Sequence, residues 1–235
     1  MPTIVMVSPK GGAGKSTSIL ILATQIARAY PVSVIDADPN HPLETWAKGK
    51  HTPVNLTVIS NVDEDNISEK IEEAAAKTPF VLVDLEGTAS KIVVMAVGQA
   101  DFVIVPMQGK QLDANQAARA LRVIQQHEKQ SRRINPNYVL PYSVVFTRTN
   151  SAVRPKALKA IEQNLKAAGV PIFKTELHER EAFSSMFSFN EPLEYLDPKE
   201  VPNIEKAIAN AEQFTKEVLE TLRKNAIGQK TEVAA

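Results

Sequence analysis

Lys10-Gly11-Gly12-Ala13-Gly14-Lys15-Ser16-Thr17 follows directly on the apolar run Thr3-Ile4-Val5-Met6-Val7 and leads into the helical spacing of Ile19, Leu22, Ala23, Ile26 and Ala27. A strand, a glycine-rich turn and a helix in that order make a phosphate-binding loop. The glycines let the backbone close around phosphate oxygens, while loop amides and the helix N-terminus supply positive potential. Lys15 is placed to reach the β- and γ-phosphates, and the Ser16 hydroxyl to ligate Mg²⁺. The general pattern G-x-x-x-x-G-K-[ST] has a glycine where this chain has Pro9, and a second lysine, Lys10, opens the loop. A glycine-rich turn without a ligand is the competing reading, and the strand–loop–helix setting argues against it.

The rest of the chain repeats the alternation of apolar run and amphipathic stretch. Strands are expected at Val32–Asp36, Phe80–Asp84, Phe102–Pro106, Tyr142–Thr147 and Val170–Phe173, with helices between them. Pro31 ends the first helix. Asp63 to Asn66 cap a short helix running to about Ala76, and Asp113 with Gln116 resembles a capping box for a helix to about Glu128. Arg154–Ala168 reads as a helix stopped by Gly169, and the last long helix spans about Asn203–Lys224. This pattern predicts an α/β fold, a doubly wound, mostly parallel sheet of about seven strands flanked by helices. One domain over residues 1–224 is expected, with 225–235 as a flexible tail.

The chain has 235 residues, with 27 Lys+Arg balancing 27 Asp+Glu, so any contact with nucleic acid must rest on a local patch. Cysteine is absent, which excludes disulfides, thiolate nucleophiles and iron–sulfur ligands. No apolar stretch reaches the length of about 18 residues that reads as a membrane span, and no signal-peptide pattern opens the chain. A cytoplasmic protein is expected.

Two strand ends carry carboxylates. Asp84 closes four apolar residues and reads as an aspartate that holds Mg²⁺ directly or through water. Asp36-Ala37-Asp38-Pro39-Asn40 follows the second strand. The competing reading for each is an acid that only shapes a turn.

The lysine at the first loop position resembles the deviant Walker A ATPases: ParA partition proteins, MinD and nitrogenase iron protein. That resemblance implies ATP and Mg²⁺ as cofactors and slow, partner-stimulated ATP hydrolysis. It also implies that Lys10 reaches across an ATP-dependent homodimer to the partner's phosphates, acting like an arginine finger in trans. The D-x-D-P-[QN] segment resembles the family's first switch, in which Asp38 orients the attacking water and Asp36 supports the metal's outer shell. Phe146-Thr147-Arg148 resembles the segment that approaches the adenine. Glu181-Ala182-Phe183 and Glu191-Pro192-Leu193 resemble the later loop that packs on the base, which puts Arg148 and Pro192 at the nucleotide. In place of the family's D-x-P-P or D-x-P-G, this chain has Asp84-Leu85-Glu86-Gly87. Glu86 there could ligate metal through water, tune hydrolysis or point to solvent.

The branch follows by elimination. The missing cysteine argues against the nitrogenase-like members. The C-terminus lacks the basic amphipathic character of a MinD-type membrane anchor. No tyrosine lies beyond Tyr195, unlike the related tyrosine kinases. A small ParA-type protein without an N-terminal helix-turn-helix remains. The resemblance implies non-specific DNA binding as an ATP dimer, nucleoid association in that state, a centromere-binding (ParB-like) partner and plasmid or chromosome partitioning. Candidate DNA contacts are Arg154, Lys156, Lys159, Lys206, Lys216, Arg223 and Lys224. Alternatives are a positioning factor for a DNA-transfer complex, suggested by Trp46 after the first switch, one for a protein cargo, and a metabolic ATP-dependent ligase.

Overall fold

The computed structural model describes residues 1–8, 11–86 and 91–233, the side chains of 111–116 and 228–233 excepted. The chain begins with β1 (Thr3–Met6), α1 (Lys15–Ala27), β2 (Val32–Ala37), α2 (Pro42–Trp46) and β3 (Leu56–Ile59). It continues through α3 (Ile67–Lys77), β4 (Phe80–Leu85), α4 (Lys91–Gly98), β5 (Phe102–Gln108) and α5 (Gln111–Ser131). It ends with β6 (Tyr142–Thr149), α6 (Lys156–Ala167), β7 (Leu177–His178), α7 (Glu181–Phe189) and α8 (Ile204–Val233). The strands form one seven-stranded sheet in the order β3-β2-β4-β1-β5-β6-β7. All described pairings are parallel.

Strands covered on both faces need apolar residues at every position, so these read as continuous runs instead of alternating ones. Ile4, Met6, Val34 and Leu82 pack under α1, α7 and α8, while Val5, Ile35, Val81 and Val83 pack under α3, α4 and α5. Parallel connection brings every strand's carboxyl end to one edge. The ends of β1, β2, β4, β5, β6 and β7 all lie there, and ligands bind at that edge in sheets of this kind.

The expected α/β architecture holds, with differences at element ends. Residues 170–173 form only an isolated bridge, Val144 to Ile172, because Pro171 has no N–H to donate to a ladder. The paired strand at that edge is β7, two residues long. Helix α5 begins at Gln111, before the expected cap Asp113, because Lys110 N–H bonds the Gln108 carbonyl at 2.8 Å and turns the chain at once. Helix α6 begins after Pro155, whose ring disfavours helical backbone at Arg154. Gly169 stops it at φ 70°. Helix α8 continues to Val233, past the end expected at Lys224. No proline interrupts this stretch, and Gly228 alone costs a helix only about 1 kcal/mol.

Candidate functional site

The loop between β1 and α1 is held from outside. The Thr147 hydroxyl donates to the Ala13 carbonyl at 2.8 Å, and Gln108 Nε2 donates to the Gly12 carbonyl at 2.9 Å. In a trans peptide the N–H points opposite to the C=O. Pinning those carbonyls toward the ends of β5 and β6 therefore turns the amides of Ala13 and Gly14 the other way. Gly12 (φ 77°) and Gly14 (φ 93°) adopt left-handed backbone, which other residues enter at a cost. Gly14 also lies against Thr147, only 3.4 Å from where a Cβ would sit. The first helical hydrogen bond runs from Ser18 N–H to the Gly14 carbonyl, so the amides of Lys15, Ser16 and Thr17 precede the ladder. The loop floors a cavity of ≈ 370 Å³ that Asp38, Asn40, Glu86 and Arg148 also line. Lys15 is buried at 6% exposure, aimed into this anion-seeking end of α1.

Asp36 and Asp84 are register partners on β2 and β4 and are both fully buried. Neither Asp84 oxygen has a hydrogen-bond partner among the described residues. Burial pushes its carboxyl up to about 7; the Ser16 hydroxyl and the Lys15 ammonium oppose the rise, while Asp36 and Asp38 add to it. Ser16 is close enough to favour the charged form without closing a hydrogen bond. Two bare buried carboxylate oxygens beside a hydroxyl and the phosphate cavity fit a divalent cation, and a Mg²⁺ held by one carboxylate, one hydroxyl, phosphate oxygens and water needs no larger cage. Among the described residues no cluster of three or more acidic or histidine side chains offers another metal site.

Asp36 is occupied differently from the expectation. Its Oδ2 accepts the amides of Leu43 at 2.9 Å and Glu44 at 2.8 Å, fastening the start of α2 to β2. Its Oδ1 has no partner among the described residues, and burial raises its pKa against those two bonds. Only half of this carboxylate is available to a metal's outer shell. Positions 36 and 38 would share a face if the strand continued, but it stops at Ala37. Asp38 lies beyond the strand, where its Oδ1 accepts both the Asn40 amide at 2.9 Å and Asn40 Nδ2 at 3.0 Å. Asp38 also lines the cavity, and among the described residues its Oδ2 makes no hydrogen bond. Trp46 is fully buried, a core residue.

A second cavity of ≈ 270 Å³ adjoins the first and shares Gly14, Thr17 and Arg148 with it. Ile21, Leu177 and Phe183 give it an apolar wall, and His178 and Arg180 add polar groups. Burial, reinforced by Arg180, holds the His178 imidazole below its usual pKa. Its Nδ1 is 2.9 Å from the Thr149 hydroxyl. Arg148 stands between the two cavities on left-handed backbone (φ 51°), where the β6–β7 register shifts. Strain at a non-glycine residue of this kind recurs at ligand sites.

Pro192 does not join this group. It starts a 3-10 turn, Leu193–Tyr195, and the Gln25 amide bonds Glu194 Oε1 at 3.0 Å in the last turn of α1. Ten residues of helix put Gln25 about 15 Å beyond Lys15, so that turn sits toward the far end of α1. Lys10 lies outside the described residues, as does Gly87. Of the candidate DNA contacts, Arg154 is bound by Glu162 and Glu176. No sequence motif marks Gln108, His178 or Arg180. Their one signal in the sequence is position just after a strand run at the ligand-binding edge.

The family model described as VirC1 protein matches residues 1–224. Protein ParA of Rhizobium radiobacter is 38% identical over 223 residues, covering 94% of this chain and 98% of its own length. Protein virC1 of Rhizobium rhizogenes is 25% identical over 192 residues, covering 79% of this chain and 80% of its own. A putative plasmid partition protein from Borrelia burgdorferi, solved bound to AMPPNP, has a TM-score of 0.67 at 19% identity and covers 94% of this chain and 99% of its own. That last likeness speaks for the fold.

Proposed function

The chain belongs to the VirC1 family of ParA/MinD-type ATPases, and on that footing we propose that it is an ATP-driven switch for partitioning DNA. The observation that carries the reading is the bare, buried Asp84 carboxylate beside Ser16 and the pinned amides at the head of α1. The loop amides and Lys15 bind the β- and γ-phosphates, and the apolar cavity walled by Ile21 and Phe183 takes the base. Ser16 and Asp84 hold Mg²⁺, with Asp36 behind them. The ion supplies positive charge to the phosphates. Asp38, steadied by Asn40, positions the water that attacks the γ-phosphorus as the bond to the bridging oxygen breaks. Lys10 acts across a sandwich dimer on the partner's phosphates, a role that rests on the family resemblance.

ATP-bound dimers hold DNA without reading its sequence, which would place them on the nucleoid, and a ParB-like partner stimulates hydrolysis and releases them. Dimerisation doubles the phosphates a neutral chain can engage, and the affinity exponent follows that number. Retention on random duplex DNA with ATP, ADP or no nucleotide, at two salt concentrations, tests this. ATP-dependent, salt-sensitive retention is expected. Equal retention without nucleotide would overturn the switch, and no retention under any condition would shift the reading to a protein cargo.

A further inference from the structure

We propose that the outer face of α5, carrying Arg119, Arg122, Lys129 and Arg133, is the surface that grips the phosphate backbone; this rests on the DNA-binding reading above. All four side chains are exposed, and among the described residues none is engaged in an ion pair. With Gln126, their spacing of three, four, three and four residues keeps them within an arc of about 80° at 100° per residue. Lys129 lies in the last turn of α5 and Arg133 in the turn beyond it, so the stripe is about 20 Å long at 1.5 Å per residue.

The other candidate helices interleave acids with their cations, which the described outer face of α5 does not. Arg154 before α6 is held by Glu162 and Glu176, and Lys166 by Glu162. On α8 the exposed Lys206, Lys216, Arg223 and Lys224 alternate with exposed Glu205, Glu212 and Glu220. The one acid among the described side chains of α5 is Glu128, which is committed to the Leu140 amide at 2.9 Å and to Arg132 at 3.6 Å. Among the described side chains of α5, the stripe is therefore a run of cations with no uncommitted acid beside it.

A phosphate backbone fits it better than an acidic peptide. An acidic peptide that docks stably inserts apolar anchors into a pocket, as interfaces do at their centres. None of the cavities among the described residues is lined by the stripe, and its uncharged member is Gln126. Over about 20 Å a duplex strand presents about six phosphates at 3.4 Å each, enough to meet four cations. The placement also suits the proposed dimer. Helix α5 starts just after β5 at the ligand edge, where Gln108 holds the loop, and runs away from it. Its later turns, which carry the stripe, therefore lie away from an interface made at that edge.

The test is Arg119→Ala/Arg122→Ala/Lys129→Ala/Arg133→Ala in the full chain, beside Lys206→Ala/Lys216→Ala/Arg223→Ala/Lys224→Ala on α8. Each is titrated with ATP against random duplex DNA over 50–200 mM salt and against polyglutamate, with basal ATPase rate and circular dichroism as controls. Each phosphate contact contributes about 0.9 to the slope of log K on log salt. With two stripes of four cations in the dimer, the α5 variant is expected to lose about 7 from that slope and at least tenfold in affinity, with basal ATPase unchanged, while the α8 variant keeps most of its binding. Wild-type-like binding by the α5 variant would overturn the stripe and leave the DNA reading standing. A wild-type protein that binds no DNA would overturn the reading itself. Polyglutamate binding that the α5 variant loses, with DNA binding unchanged, would assign the face to an acidic protein.

Discussion

Replacing Asp84 with asparagine should stabilise the ligand-free protein at alkaline pH while destroying its function. The carboxyl is fully buried and has no hydrogen-bond partner among the described residues, and burial lifts its pKa from 3.8 to about 7. A rise of that size corresponds to roughly 4 kcal/mol between the charged and neutral forms. A folded-state pKa above the unfolded one means that the favourable contribution is complete below about pH 4 and is lost as pH rises through about 7. Wild-type stability should therefore fall across that window, and Asp84→Asn should remove this part of the fall. The amide still leaves buried polar atoms unmatched, at a cost of about 1–3 kcal/mol, so a net gain of roughly 1–3 kcal/mol is expected at pH 8. For a chain of this size that is a rise of about 3–10 °C in Tm. Thermal unfolding in EDTA at pH 5 and pH 8 reads both effects: near-equal Tm at pH 5, and the variant higher at pH 8. A variant no more stable than wild type at pH 8 would refute the view that Asp84 is held bare for a cation, at the expense of the fold.

Lys15→Ala should abolish ATP binding, because the phosphates lose their buried charged partner, while Asp38→Ala should bind ATP and fail to turn it over; calorimetry and phosphate release separate the two. Thr147→Val removes the bond to the Ala13 carbonyl, so about 1 kcal/mol of stability should be lost, with a several-fold weaker Kd for ATP that fluorescence titration would detect. Gly49→Ala should be severe in thermal denaturation, above about 4 kcal/mol, because a Cβ there would lie 1.8 Å from the Asn190 carbonyl oxygen; Gly11→Ala, with nothing within 4 Å of its Cβ position, should leave Tm unchanged.

Long apolar runs and the glycine loop were legible because their signals are local. Val32–Ala37, Phe80–Leu85 and Phe102–Gln108 are each buried along nearly their whole length, so the residues announce the strand without help from neighbours. Other elements are too short for periodicity to register. Helix α2 has five residues and is started by Asp36 accepting two of its amides across seven and eight positions. Strand β7 has two residues and exists because β6 offers it an edge. Pro171 shows the reverse: an apolar segment reads as a strand, yet a missing donor reduces it to one bridge.

The site divides along the same line. Lys15, Ser16 and Asp84 are readable as candidates from sequence, because each belongs to a motif whose chemistry is set within a few residues, and the structure brings them to one edge of the sheet. The groups that give the loop its shape are not readable in this way, because Thr147 reaches Ala13 across 134 positions and Gln108 reaches Gly12 across 96. Only the strand order, which seats β5 beside β1 and β6 beside β5, brings those side chains to the loop. Pro192 lies apart from both cavities for the complementary reason. Its segment is turn-forming, which suits a base-packing loop, but Leu193 is fully buried in the core and Glu194 bonds Gln25, fixing the turn toward the far end of α1. A phosphate loop thus declares what it binds in its own residues, while how firmly it is held is written in strand ends a hundred residues away. Thr147→Val, which leaves every motif residue in place, is for that reason the sharper probe of how the sheet shapes the site.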